Sequence, residues 1–255
     1  MRAGGVELTA SAFEIVSRIT QIEVGPGFHP EAIKAQAVAA YSFVRYFNDQ
    51  GQPASVLLAP RADPVVERLV AEVLGQAVYF NNRIAFTPYH ATSAGRTNSS
   101  RDVWGGHYPY LISVDSSIDR YAPGFERRQY FTIDQVLDRL RIHLGIEPTS
   151  HPDAWFQIIS YTDGGYIRYI SVDGHATSPR TGNRITGRQL REQVFNLRSA
   201  SFIVDFDSAG DQFVFTTFGH GHGVGMSHTG ANLKAQQGWS YIEILEHYFP
   251  GTTVR

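Results

Sequence analysis

Cysteine is absent from all 255 residues, which removes disulfides and thiolate metal ligands together. That absence suits an oxidising or extracytoplasmic compartment as readily as the cytosol. No apolar run reaches the roughly eighteen residues that a membrane-spanning helix needs. The opening stretch MRAGGVELTASAFEIV lacks the charged, apolar and small-residue regions of a signal peptide, so the expectation is a cytosolic protein or one whose leader has been removed. Charge is sparse, at 18% of residues with a formal net of −2, and Lys and Arg are scattered rather than banded. No electrostatic footprint of nucleic-acid binding is visible, and an elongated neutral or sugar-like ligand stays open. What the chain has in quantity is apolar and aromatic surface: 42% hydrophobic residues, with 13 Tyr and 16 Phe. A chain of this size and composition buries a substantial core, as one domain over 1–255 or as two closely packed lobes.

The densest local signal is 219–228, GHGHGVGMSH, which follows the apolar run FVFTTF and precedes a helical pattern. Glycine loses more conformational entropy on folding than any other residue, so a cluster of them implies φ > 0 or a close approach of backbone. The interleaved imidazoles supply polar chemistry. A second dense segment, EAIKAQAVAA at 31–40, lies far upstream, and a fold that joins the two would make a cleft.

Apolar Phe13, Val16, Ile19 and Ile22 predict an amphipathic helix over 9–22 with Glu23 at its end. Gly25-Pro26-Gly27 interrupts it, and Pro30 opens a second helix to about Phe47. A short helix is expected over 64–74, then a hairpin of 77–80 and 83–86 turning at Asn81-Asn82. The polar stretch 89–106 reads as a long functional loop, and 108–114 as a strand. Capping-box spacings at Thr132/Gln135 and Ser240/Glu243 open two further helices, and 186–196 reads as another. Hairpins are expected for 155–161 with 166–172 and for 201–207 with 212–218. Helices mixed with antiparallel hairpins predict an α+β fold around a substrate groove rather than a wound parallel sheet.

Several side chains could carry chemistry. A carboxyl at a helix end between Ile22 and Val24 could be partly desolvated, and desolvation keeps it protonated, as a general acid must be; an exposed terminal glutamate is the plain alternative. His220, His222 and His228 admit zinc, substrate hydrogen bonding, orientation of a catalytic group, or a satisfied polar loop. Ser93 or Ser227 could be a hydrolase nucleophile, although no G-x-S-x-G elbow is present. Lys34, Gln36, Arg96, Thr97 and Asn98 are polar groups in or beside the dense segments, and Phe28, Trp104, Tyr108 and Trp239 could stack on sugars.

The segments EAIKAQAVAA (31–40), HATSAGRT (90–97) leading to DVW (102–104), PYLISVD (109–115), LRSASF (197–202), HGHGVGMSHTGA (220–231) and GWSYIEILEHYFPGT (238–252) occur in an order that resembles the stage II sporulation protein D family and its relatives, the amidase enhancers of the LytB type. The resemblance implies a lytic transglycosylase acting on peptide-stripped peptidoglycan strands. It also implies Glu23, eight residues before Glu31, as the catalytic acid and base. Gln36, His90, Ser93, Arg96, Thr97, His220, His222 and Ser227 are then the expected substrate-binding residues. The chain departs from the family pattern at Ile22, Val24, Tyr41 and His228-Thr229. Some relatives hold zinc with cysteine and histidine near HATSAGRT; without cysteine that site is not carried over, and no metal or cofactor is expected. The family further implies work outside the cytoplasmic membrane, anchored through an N-terminal segment absent from this chain, beside a peptidoglycan amidase, stage II sporulation protein P. No nucleic-acid partner is expected.

Overall fold

In a computed structural model, residues 2–3 and 8–255 are described; residues 1 and 4–7, part of the opening read above for a leader, lie outside them. In chain order the elements are β1 (Arg2–Ala3), β2 (Leu8–Thr9), α1 (Ala12–Glu23), α2 (Pro30–Asn48), α3 (Pro64–Val73), β3 (Val78–Phe80), β4 (Arg83–Ile84) and β5 (Tyr89–His90). They continue with α4 (Ser100–Trp104), β6 (Glu126–Thr132), α5 (Ile133–Leu144), β7 (Phe156–Tyr161), β8 (Ile167–Val172) and α6 (Gly187–Gln189), which runs into a π-helical stretch, Leu190–Phe195. The chain closes with β9 (Phe202–Asp207), β10 (Gln212–Phe218), β11 (Met226–Ser227), α7 (His228–Gln236), α8 (Tyr241–Tyr248) and β12 (Thr253–Val254). The class is α+β: helices with several small, mostly antiparallel sheets. Among the described residues no helix is long and apolar enough to cross a membrane.

The chain divides into two compact units, one of Met1–Ala91, His107–Val114 and Val224–Arg255, the other of Thr92–Gly106 and Asp115–Gly223. The first unit is built on α2, which packs against α1, α3, α7 and α8. Its alanines explain how: Ala32, Ala35, Ala37, Ala39 and Ala40 are all buried, so partner helices approach on several sides of a strong helix former. Ile15 and Ile19 of α1 join Ala40, Val44 and Ala54 in an apolar cluster, with Phe43, Phe47 and Tyr89 against it. Asn81 and Asn82, at φ 49° and 60°, make the tight turn between β3 and β4, as expected of Asn in a two-residue hairpin loop.

The second unit has an aromatic core. Phe131, Phe195, Phe213 and Phe215 are buried with Leu140, Leu144, Ile170 and Leu190 between the β6-β10-β9 sheet, the β7-β8 hairpin, α5 and the π-helical stretch. Strand β6 is missing from the sequence reading. ERRQYFT carries three charges and only two aromatics, so it forms because β10 offers it an edge along seven paired residues, not because of its own pattern.

Two further expectations are corrected. Residues 108–114 form no strand. Pro109 has no N–H to give a ladder, and the tyrosines serve side-chain contacts instead: Phe86 N–H donates to the Tyr110 hydroxyl at 2.8 Å, and Tyr108 packs on Phe86 with ring centroids 5.2 Å apart. The stretch 89–106 is not simply loop, since it holds β5 and α4, the latter capped by the Ser99 hydroxyl accepting from Asp102 N–H at 3.1 Å.

The glycines of 219–228 meet the physical expectation placed on them. Gly219, Gly221, Gly223 and Gly225 all have positive φ. A Cβ on Gly225 would stand 2.1 Å from the carbonyl oxygen of Pro88, where β11 runs parallel to β5. Gly225→Ala should therefore destabilise by about 1–3 kcal/mol or more, since both φ and close backbone oppose a side chain. Gly238→Ala, at φ +92° with open space around it, should cost less in the same thermal-denaturation comparison.

Candidate active site

Glu23 is the last residue of α1. The helix stops there because Gly25 takes φ +65°, and both Val24 and Gly25 N–H groups turn back to the Thr20 carbonyl. This leaves the Glu23 side chain 27% exposed, with its Oε2 4.0 Å from Nε2 of the buried His228, at the start of α7. Burial pushes the Glu23 carboxyl above its ordinary value. The negative end of the α1 dipole acts in the same direction, with no basic residue in the last turn to offset it. This is the partly desolvated carboxyl that the sequence admitted beside the plain exposed alternative.

Two more side chains of the same unit complete the setting. The Tyr89 ring lies 5.2 Å from that of His228. Burial first, and then the Glu23 charge, drive the Tyr89 phenol far above its usual range, while the Gln36 amide facing its hydroxyl pulls the other way. Tyr89 is thus a neutral hydrogen-bonding group at any physiological pH. Gln36 is fully buried on α2, and neither polar atom of its amide reaches solvent. His90 is also buried, its Nδ1 3.2 Å from the Val224 carbonyl. Ser227 is 0% exposed and its hydroxyl accepts from Gly230 N–H at 3.1 Å, the N-cap of α7, so it holds the helix start that carries His228. Within the first unit α2, which carries the first dense segment, packs on α7, which begins at the last residue of the second, and His29 N–H donates to Asn232 Oδ1 at 2.7 Å. Lys34, polar and near them, is committed to Glu72 at 2.7 Å and Glu31 at 3.2 Å.

The remaining expected residues belong to the second unit. Ser93 and Thr97 are fully buried; the Ser93 amide donates to Asp119 Oδ2 at 2.8 Å and its hydroxyl accepts from Gly95 N–H at 3.3 Å. Arg96 and His220 are exposed, and His222 is half-buried with its ring 5.0 Å from that of Trp104. Thr92 and His220 exchange backbone hydrogen bonds at 3.0 and 2.7 Å, which seats the histidine. Arg198 Nη2 lies 3.2 Å from His220 Nδ1, and a guanidinium can only donate, so Nδ1 accepts and Nε2 carries the proton. Burial, then Arg198 and Arg191, lower the His220 pKa. Among the described residues no three His, Asp or Glu side chains gather as a metal-binding group.

Sequence reasoning missed Tyr89, which directly precedes HATSAGRT but is one of 13 tyrosines with no local mark. It weighed His228 only as one of three histidines. The distance to Glu23 arises across 205 residues of chain, beyond any local pattern.

Linkage gives the Glu23 carboxyl a measurable signature. A folded-state pKa raised above the unfolded value means that the neutral form is favoured by folding; stability is full below the unfolded value and is lost as pH climbs through the folded one. Glu23→Gln should match the wild-type thermal midpoint below about pH 4 and exceed it at neutral pH. Equal midpoints at both pH values would remove the desolvation argument.

No protein-family model matches the chain. Stage II sporulation protein D of Bacillus amyloliquefaciens is 28% identical over 94% of this chain and 73% of its own length, and that of Bacillus subtilis (strain 168) is likewise 28% identical over 94% and 73%. An amidase enhancer of Bacillus subtilis (strain 168) is 23% identical over 88% of this chain and 38% of its own length. The chain is thus similar over most of its length to stage II sporulation protein D and, at lower identity, to an amidase enhancer.

Proposed function

We propose that this protein is a peptidoglycan lytic transglycosylase of sporulation or cell-wall remodelling, with Glu23 as its single acid and base. The observation that carries the reading is the carboxyl raised by burial at the end of α1, flanked by His228 and Tyr89. The similarity to stage II sporulation protein D supports the setting. Protonated Glu23 gives its proton to the glycosidic oxygen between N-acetylmuramic acid and N-acetylglucosamine as the C1–O bond breaks. The resulting carboxylate takes the proton of the muramic 6-hydroxyl, whose oxygen closes on C1 to leave a 1,6-anhydro sugar. One carboxyl suffices because the nucleophile belongs to the substrate and is already positioned, whereas a glycoside hydrolase normally uses two. Peptide-stripped strands are the proposed substrate, with Gln36 and His90 supporting the acid's surroundings and Arg96, His220 and His222 the solvent-facing groups for glycan contact. Ser93, Thr97 and Ser227 then act by shaping backbone. Action outside the cytoplasmic membrane, beside an amidase such as stage II sporulation protein P, belongs to the same reading.

A second reading is favoured by the amidase enhancer among the relatives: a glycan-binding stimulator that does not cut. Mass spectrometry of peptide-stripped strands after incubation separates the two. Wild-type protein should release anhydro-ended fragments and Glu23→Gln should be slower by about 10²–10⁴-fold. Reducing-ended fragments, or cleavage by Glu23→Gln at the wild-type rate, would overturn the assignment, and binding without fragments would favour the stimulator. The acid must be protonated, so kcat/KM should fall as pH rises through the raised Glu23 pKa, and that alkaline limb should lie above the ordinary carboxylate range.

A further inference from the structure

The second unit contains a cavity of about 470 Å³ of whose lining the reading of Glu23 uses only His222. Four arginines line it, Arg101, Arg168, Arg188 and Arg191, along with Asp102 and His222. For a chain of net charge −2 this is a marked local excess. The acids present offset only part of it. Arg168 pairs with Asp102, whose side chain is 4% exposed. Arg188 Nε and Arg191 Nη1 both take Glu192, each at 2.9 Å, one on each oxygen of its carboxylate. Two guanidiniums thus share one carboxylate, and Arg101 adds a further positive charge.

The arginines are also held in place. Arg188 Nη1 donates to the Val103 carbonyl at 2.7 Å, and Arg191 Nε to the Arg198 carbonyl at 3.3 Å. Each guanidinium has five N–H donors in a fixed fork, so these bonds orient the group and still leave donors over. Burial acts first against the Arg191 charge; Glu192 favours it and the like charge of Arg188 opposes it. Beside the cavity residue His222, the Trp104 ring is 37% exposed, a surface on which a sugar face can stack. The volume falls within the roughly 300–1,000 Å³ of small-molecule sites.

We propose that this cavity binds a carboxylate-bearing saccharide, its carboxylate gripped by Arg101, Arg188 and Arg191 and its ring set near His222 and Trp104. Resting on the lytic reading above, the carboxylate is the lactyl group of N-acetylmuramic acid. That group is a free anion only after the stem peptide, joined to it as an amide, has been removed. The cavity would therefore sense stripped strands by charge, and a neutral, amidated lactyl group would forgo the charge-assisted hydrogen bonds that the free carboxylate makes.

Calorimetric titration of the full chain with N-acetylmuramic acid, its methyl ester, N-acetylglucosamine and inorganic phosphate tests this. The free acid should bind, and the ester and N-acetylglucosamine should bind about tenfold more weakly or worse. Arg188→Gln and Arg101→Gln should each weaken the acid by about tenfold while retaining a cooperative thermal transition, and Arg188→Lys should recover only part of the loss. Equal affinity for acid and ester, no binding of the acid, or phosphate displacing the acid at lower concentration would overturn the proposal, the last by assigning the cavity to phosphate. Selective binding of the acid by a protein that releases no anhydro fragments would sink the lytic reading and leave the cavity standing. Anhydro fragments made by a protein without that selectivity would do the reverse.

Discussion

The structure depends on a backbone approach that only glycine permits. The segment 219–228 lies against the chain around residues 88–98 closely enough that side chains would collide with carbonyl groups: Gly225 against Pro88 in one unit, Gly219 against Thr92 and Ser93 in the other. Positive φ at alternate positions turns the intervening amides toward those carbonyls, and Met226 N–H reaches Pro88 while His220 N–H reaches Thr92. Helix α7 starts immediately afterwards, with Ser227 as its cap, and this fixes His228 beside Glu23. The glycines are thus upstream, in physical terms, of the chemistry that the histidines and the carboxyl can perform.

Burial then does the tuning. Glu23 needs no neighbouring acid to be raised, because burial at the end of α1 already removes much of its water. Tyr89 is raised for the same reason, with the Glu23 charge added. An acid of this kind suits a reaction in which the same group must first donate a proton and then take one back, because its pKa is moved toward the pH at which both steps compete. In the second unit electrostatics is organised oppositely. Arginines there are numerous, partly exposed and braced by backbone carbonyls, an arrangement suited to holding an anion rather than to exchanging protons.

Much of the fold was legible where the signal is local. Helix α1, Pro30 at the start of α2, the two capping boxes and the Asn81-Asn82 turn all act within a few residues and form as expected, although of the expected α1 stripe Val16 and Ile19 are buried while Ile22 is 44% exposed. Strand β6 and the stretch 108–114 were misread for a common reason. A strand is stabilised by its partner's edge, which the sequence of the strand does not contain, and an aromatic run such as YPY can serve packing as well as pairing. Of the expected substrate-binding residues, Gln36, Ser93, Thr97 and Ser227 are fully buried, and the Ser93 and Ser227 hydroxyls accept from backbone N–H groups, a burial that their local sequence does not record.

The sequence by itself determined the α+β class, most helix boundaries, the unusual backbone of the glycine-histidine segment and the position of Glu23 at a helix end. These follow from periodicity, caps and the steric identity of glycine, all short-range properties. Only the tertiary structure decided that His228 and Tyr89 stand beside that carboxyl, that Gln36 faces the tyrosine, and that Arg101, Arg168, Arg188 and Arg191 line one cavity. Solvent exclusion and the convergence of charges are properties of the space between distant segments, so no single stretch of sequence records them.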